Sequence, residues 1–325
     1  MILKNGVFII SLDFELYWGI LTKSKVEQKR MEGIIIGGRK VIPELLDLFK
    51  KYKIHATWST VGILFFENKK ELLENLPKNR PTYPNIAISP YEHINEIGPD
   101  ERRDPLHYAP SLIRLILSYP NQEISTHTFS HYDSLAYGQD GRTFESDLEA
   151  VIKIAKKYSI NIKTIIFPYN KINENYLQIC KNFGIKAYRG IQDSWLHSGK
   201  NPLIKRLIRF INRYININGH DTFSLEIALG KEPPYNFRAS RFLHPYSNKL
   251  KFLEWIRLNR ILSSMTYAAK NALAYHLWWH PHDFGLDQKN NLLFLEKILK
   301  HFVTLNRKYN MKSSNMEDLI NEMYE

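Results

Sequence analysis

The chain opens on a run of apolar positions, Val7, Phe8, Ile9 and Ile10, that leads through Ser11 and Leu12 into two acids, Asp13 and Glu15. An apolar, β-branched run of this length predicts a strand buried on both faces. Side chains two apart on a strand share a face, so Asp13 and Glu15 emerge on one side where the strand runs out. The period then changes. Val41, Ile42, Leu45, Leu46, Leu48 and Phe49 recur at helical spacing over residues 39–53, after a break at Gly37 and Gly38. Residues 54–61 predict a second strand, and β-α-β in this order points to a parallel sheet with right-handed crossovers.

The alternation continues with a helix over 111–119, a strand over 122–126, an amphipathic helix over 144–158 and a strand over 164–167. A helix over 173–183 closed by Gly184 and a strand over 185–188 follow. The pattern weakens between about 192 and 250, then resumes with a buried strand over 272–279, a long helix over 292–309, a short strand near 312–316 and a last helix. Prolines 77, 81, 84, 90, 99 and 105 predict irregular structure over 77–107, and a loop of that length usually covers a site. Polar residues collect at the C-terminal ends of the strands, as in a (β/α) barrel or a distorted relative of one. The expected organisation is one α/β domain over 1–325 with a helical and irregular insertion around 192–250.

Composition narrows the class. A chain of 325 residues with 44% hydrophobic and 24% charged residues reads as an ordinary soluble globular protein. The single cysteine, Cys180, forbids an internal disulfide and favours a reducing compartment. The first apolar run is cut short by Asp13 and Glu15 and lacks a small-residue cleavage site, so no signal peptide is expected. Nor does an uninterrupted apolar stretch of about 18 residues suggest a spanning helix. The expected location is cytoplasmic. A net charge of +12 suits nucleic acid or anionic membrane as a partner. Without zinc-finger spacing, an aromatic-basic RNA signature or a Gly-rich phosphate loop, nucleic acid is not expected.

Three clusters carry chemistry. The first is Asp13 with Glu15, two crowded acids that need a metal, a proton or a cation beside them. The second is His127-Thr128-Phe129-Ser130-His131, directly after a predicted strand. On a helical turn, i and i+4 imidazoles share a face, a common way to hold zinc, and two histidines plus a carboxylate with an open fourth position is the arrangement of hydrolytic zinc enzymes. The third is Trp278-Trp279-His280-Pro281-His282-Asp283-Phe284-Gly285, again after a strand, whose histidines suit general acid or base work. His276, inside that strand, reads as a core residue.

In this order the clusters resemble the polysaccharide deacetylases, metal-dependent hydrolases that remove N- or O-acetyl groups from sugars on a distorted (β/α)₇ barrel. Ser11-Leu12-Asp13-Phe14-Glu15 looks like the family's first motif, and His127 to His131 matches the second, His-[Ser/Thr]-x-x-His, at every position. Ile166-Phe167-Pro168-Tyr169 matches the third, Arg-x-Pro-Tyr, in part, and the strand before His280 is similar to the last. The resemblance spans roughly residues 5–310. Residues 122–133 and 278–285 look like a branch linked to bacterial surface-polysaccharide synthesis, including lipopolysaccharide or capsule. It implies Asp13 as general base and Glu15, His127 and His131 as ligands of one divalent metal, expected to be zinc. It further implies Tyr169 and Trp18 at substrate and oxyanion positions and His280 as proton donor, with His282 the alternative. The substrate implied is an acetylated sugar, nucleotide-linked, lipid-linked or oligomeric.

Two departures stand out. Glu15 replaces an Asp, and Ile166 replaces the Arg that orients the base. Arg189 is the candidate replacement cation, and Asp193 the candidate acid partner of the catalytic histidine; surface ion pairs are the competing reading for both. Spacing alone leaves the roles of Asp13 and Glu15 interchangeable. A basic amphipathic stretch over 200–214, with Lys205, Arg206, Arg209 and Arg213 off an apolar stripe, suits peripheral contact with an anionic membrane or an ordinary packed helix. A glycoside hydrolase using the two acids is disfavoured, because i, i+2 carboxylates lie on one side of a scissile bond. A silent carbohydrate-binding relative of the same fold is the remaining alternative.

Overall fold

The structure, a computed structural model, describes residues 5–21, 23–191, 208, 210–217, 219–229 and 232–324. Its centre is β1 (Val7–Phe14), buried along its whole length. Parallel neighbours flank it: β2 (Ala56–Thr60) on one side and β8 (Ala274–Trp279) on the other, with Leu12 level with Trp58 and Trp279. Outward from β2 run β3 (Gln122–Thr126), β4 (Thr164–Ile165), β5 (Ala187–Tyr188) and β6 (Tyr235–Asn236), and beyond β8 lies β7 (Arg241–Phe242). A ninth strand, β9 (Lys312–Ser313), pairs with the start of β1. Among the described residues β6 and β7 do not pair, so the parallel sheet curls into a distorted (β/α) barrel with a seam there. Residues 235–242, expected within an insertion, instead supply the two edge strands. Each is two residues long, too short to show a period.

The helices wrap this sheet. They are α1 (Lys25–Tyr52), α2 (Lys69–Glu74), α3 (Pro90–His93), α4 (Pro110–Ser118), α5 (Gly141–Lys157), α6 (Glu174–Asn182), α7 (Leu225–Leu229), α8 (Lys251–Lys270), α9 (Gln288–Tyr309) and α10 (Met316–Tyr324). The first of them begins well before residue 39. Ser24 and Glu27 form a capping box at its start, and left-handed Lys53 closes it. Gly37 and Gly38 lie inside this helix, not at a break, because the loop after β8 presses against them. A Cβ on Gly38 would sit 2.5 Å from the Cα of His282.

Strand parity sorts the core. Phe8, Ile10, Leu12 and Phe14 face the helices in the main apolar cluster. Val7 and Ile9 face a second cluster inside the barrel with Ile166, Ala187, Phe223, Met316, Leu319 and Ile320. Ser11, Asp13 and Glu15 continue that inner row, so the barrel's interior turns from apolar to polar toward the C-terminal ends of its strands. Residues 77–107 are largely irregular, as expected, but they do not roof the inner row. They brace the exit of β1: Tyr17 N–H donates to the Leu106 carbonyl at 3.2 Å, and the Trp18 indole donates to that of His107 at 3.1 Å.

Candidate active site

At the top of the inner row, Glu15 meets the loop after β3. Its Oε2 lies 3.0 Å from His131 Nε2 and 3.4 Å from His127 Nε2. All three residues are buried, and their donor atoms fall within 4.8 Å of one another. The His127–His131 segment is not the helical turn that its spacing suggested. It is a loop with Thr128 and His131 left-handed, at φ 65° and 57°, and the imidazoles converge with centroids 5.1 Å apart. Buried Asp147 on α5 shapes the loop by accepting from Phe129 N–H at 2.6 Å, Ser130 N–H at 3.1 Å and the Ser130 hydroxyl at 2.5 Å. Burial pushes the Asp147 carboxyl up to about 6, against the pull of those bonds.

This donor set fits a divalent metal. His127 Nδ1–H donates to the Ile166 carbonyl at 2.8 Å, which fixes the tautomer and leaves Nε2 with a lone pair toward Glu15 and His131. Burial lowers the pKa of His131, against the opposing pull of Glu15, and favours a neutral imidazole. Burial alone would raise the Glu15 carboxyl, but the His280 charge and the close approach of the His127 and His131 imidazoles hold it well below the usual range. The extra methylene of Glu15 is accommodated by Gly19, where any Cβ would collide with the Glu15 carboxylate.

One position back, Asp13 is held by Arg189. The fully buried guanidinium grips both carboxylate oxygens at 2.7 Å and also donates to Ser11 Oγ at 3.0 Å and Asn170 Oδ1 at 2.9 Å. Its plane lies over the Trp278 ring at 4.1 Å. Burial pushes the Asp13 carboxyl up, but the Arg189 charge, then His127 and His280, outweigh it and keep it ionised. The chain of bonds runs on. Ser11 Oγ lies 2.8 Å from His276 Nε2, and His276 Nδ1 lies 3.1 Å from the Phe237 carbonyl, which only accepts. Hence Nδ1 carries the proton and Nε2 accepts from Ser11. Burial and the Arg189 charge push His276 down to about 3, so it is a neutral core residue as expected.

His280 stands at the end of β8. Its Nδ1–H donates to Asp283 Oδ2 at 2.9 Å, while Nε2 lies 3.7 Å from Glu15 and 3.9 Å from Asp13. Burial disfavours its charge, but Glu15, Asp283 and Asp13 outweigh burial and raise the pKa to about 10. His282 stacks on His280 with centroids 4.9 Å apart, and burial followed by the His280 charge lowers its pKa. Asp283, His280 and His282 also bring three donor atoms together, but His280 Nδ1 is already engaged by Asp283.

These groups line a cavity of about 520 Å³ with Gly19, Ile20, Lys23, Met31, Tyr169, Asn170, Phe242 and Trp278. A larger groove of about 700 Å³ between α1 and α9 holds none of these clusters, which makes the smaller cavity the candidate site. The candidate metal donors, an acid locked to an arginine and a histidine locked to an acid thus face one space. Residues 36–188 match the polysaccharide deacetylase family. Those residues, just under half of the chain, carry a polysaccharide deacetylase domain match. With it comes the hydrolase class that acts on non-peptide C–N or ester bonds of sugars.

The sequence match ends one residue before Arg189 and omits β1 and β8, so Asp13, Glu15 and His280 join this deacetylase domain through the fold. No curated protein matches the chain in sequence. A Mycobacterium smegmatis protein assigned to the polysaccharide deacetylases superposes with a TM-score of 0.61 at 13% identity, covering 98% of this chain and 90% of that one. The 4-α-glucanotransferase of Thermococcus litoralis gives 0.55 at 11%, over 98% of this chain and 40% of that one. A PuuE allantoinase gives 0.53 at 11%, over 96% and 88%. At these identities the likeness is one of fold, which does not choose among chemistries.

Asp13, Glu15, His127, His131, Tyr169, His280 and His282 line one cavity, with Arg189 behind Asp13. Trp18 is not at the site: its indole is fully buried against His107, edge-on at 5.2 Å. Asp193 and most of 200–214 lie outside the described residues. The acid partner that the structure gives His280 is Asp283, which sequence reasoning passed over. The signal was present, since His280-Pro281-His282-Asp283 has the spacing of a reciprocal cap. Asn170 and Asp147 were also missed, and neither belongs to a motif that singles it out.

Proposed function

We propose that the chain is a metal-dependent carbohydrate N-deacetylase acting in assembly of a cell-surface polysaccharide. The observation that carries this reading is geometric: Asp13, gripped by Arg189, and His280, bonded through Nδ1 to Asp283, face each other at 3.9 Å beside the Glu15–His127–His131 donors. Two titratable groups pushed apart by their surroundings assign base and acid. A divalent ion held by Glu15, His127 and His131, zinc in this reading, supplies Lewis acidity that lowers the pKa of water and polarises a carbonyl.

Asp13 accepts a proton from the attacking water. Arg189 makes it a weak base, so it acts only on water already made acidic. His280 delivers the proton on Nε2 to the departing nitrogen, and Asp283 keeps the imidazole oriented through Nδ1. Tyr169 lines the cavity edge-on to His131 at 4.8 Å, and in this reading its backbone N–H would steady the developing oxyanion. Phe242 and Trp278 offer the sugar an aromatic wall. A glycosidase reading fits less well, because neither Asp13 nor Glu15 is kept protonated as a general acid must be. Buried, unpaired Cys180 supports a reducing compartment, and we place the reaction in the cytoplasm.

The test is acetate release from a panel of N- and O-acetylated sugars, with metal analysis of the same preparations. Wild type is expected to carry one divalent ion, His127→Ala to lose it, and Asp13→Asn to keep it while releasing acetate about 10²- to 10⁴-fold more slowly. Undiminished release by Asp13→Asn defeats the assigned base. Metal-free wild type that binds glycan without releasing acetate defeats the enzyme.

A further inference from the structure

In a parallel barrel, the segment leaving each strand starts at the C-terminal face, where the catalytic cavity opens. The strands β7, β8 and β1 are consecutive in the sheet, so the segments that follow them form one continuous arc of the rim. After β7, the first turns of α8 hold Phe252 at 65% exposure and Trp255 at 63%. After β8 comes Leu286 at 60%, and after β1 comes Val26 at 81%, in the first turn of α1. Single exposed apolar residues are ordinary, but neighbouring ones on one rim are not.

The first half of α8 is also inverted. Its buried residues are charged, with Glu254 and Arg257 paired and Arg260 bonded to Ser264, before Ile261, Met265 and Ala268 take over the buried face. Phe252 and Trp255 therefore face outward where a surface helix normally puts polar groups. Lysines accompany the apolar residues, with Lys249 and Lys251 beside Phe252 and Lys23 and Lys25 beside Val26. None of the four has an ion-pair partner among the described residues, and the whole chain carries +12.

We propose that this arc of the rim docks on an anionic lipid bilayer. Aromatic side chains at the depth of the headgroups, ringed by lysines, are the recognition chemistry of such a surface. Charge decides the occupant. A second copy meeting this face symmetrically would set lysines against lysines, whereas anionic headgroups neutralise them. The docking does not need residues 200–214, and it does not depend on the deacetylase reading. It turns the cavity mouth, with Phe242 and Lys23 on its walls, toward the membrane.

The experiment is flotation of the full chain with phosphatidylcholine vesicles, with and without phosphatidylglycerol. Wild type is expected to float with the anionic vesicles, to release as salt rises and to show a blue-shifted tryptophan emission. The double variant Phe252→Ser/Trp255→Ser should lose about tenfold in bound fraction, and Lys249→Glu/Lys251→Glu a similar amount at low salt. Both variants should keep the wild-type circular dichroism and the wild-type acetate release from a soluble acetylated sugar. Wild type left unfloated by anionic vesicles overturns the proposal, as does a Phe252→Ser/Trp255→Ser variant that floats like wild type. A wild-type dimer that the same double variant dissociates would give the face to a second copy and overturn it too. Wild type that floats yet releases no acetate upholds docking and sinks the deacetylase reading, so the two fail separately.

Discussion

Asp13 and Arg189 are the tightest pairing at the site, and they come from opposite parts of the chain. A bidentate, fully buried pair is sensitive to loss of one partner, because the other is left as an unpaired charge away from water. Arg189→Met should therefore destabilise the protein by about 3–5 kcal/mol, read as a fall in the denaturant midpoint. Arg189→Lys keeps the charge but loses the fork that grips both oxygens and also reaches Ser11 and Asn170. It should fold, bind metal as wild type does and lose about 10²-fold in kcat through misplacement of Asp13. A kcat unchanged in Arg189→Lys would mean that the grip does not position the base. The role of Arg189 was half legible in sequence. Ile166 stood where an arginine was wanted and Arg189 followed the next strand, but only the folded chain shows that Arg189 reaches the Asp13 carboxylate. Asp283 is the converse case: its contact with His280 is local, and the i, i+3 spacing carried the information.

At the scale of elements, the site is set by how closely a helix approaches a loop. Gly37 and Gly38 look like a break in sequence because glycine is a poor helix former. In the structure the capping box and the apolar stripe override that weak local preference, and the absence of Cβ atoms lets the His282–Gly285 loop pack on the helix. Gly38→Ala is the informative change. By local propensity it should stabilise the helix by roughly 1 kcal/mol. By contact it should push His282, and with it His280, out of place. We expect contact to win: lower stability, a loss of kcat and intact metal content, since Glu15, His127 and His131 lie on other elements. Gly19→Ala should do the opposite, reducing metal content by displacing the Glu15 carboxylate. Measuring metal stoichiometry and acetate release in both variants separates the two effects. Equal metal loss in both would show that the loop after β8 and the donor set are not independent. A left-handed loop such as 127–131 was illegible for a related reason: its shape comes from Asp147, sixteen residues beyond His131, and from no propensity of its own.

The whole molecule is closed from below by its C-terminal segment, and that closure carries a titrating group. Met316, Leu319 and Ile320 fill the inner cluster, while Glu123 accepts from the Glu317 N–H at 3.0 Å and the Thr57 hydroxyl at 2.7 Å, and bonds Thr164. Burial, helped by the Glu317 charge, raises Glu123 to about 7 from the ordinary 4.5. A carboxyl with a raised pKa binds its proton more tightly in the folded state than in the unfolded chain. Its contribution to stability is therefore complete below about 4.5 and is lost as pH rises through 7, a span of roughly 3 kcal/mol. Two buried imidazoles act in the opposite sense. His244 and His276, both pushed down to about 3 by burial and neighbouring arginines, contribute stability that is lost as pH falls below the usual histidine range. Wild-type stability alone thus mixes opposing trends between pH 5 and 8. The difference between wild type and Glu123→Gln isolates one of them, since glutamine keeps an acceptor for Thr57 and Glu317 and an N–H for Thr164. Thermal melting at stepped pH should show Glu123→Gln gaining on wild type by roughly 5 °C as pH rises from 5 to 8. A constant gap across that range would mean that Glu123 does not change protonation on folding and that the base of the barrel is indifferent to pH.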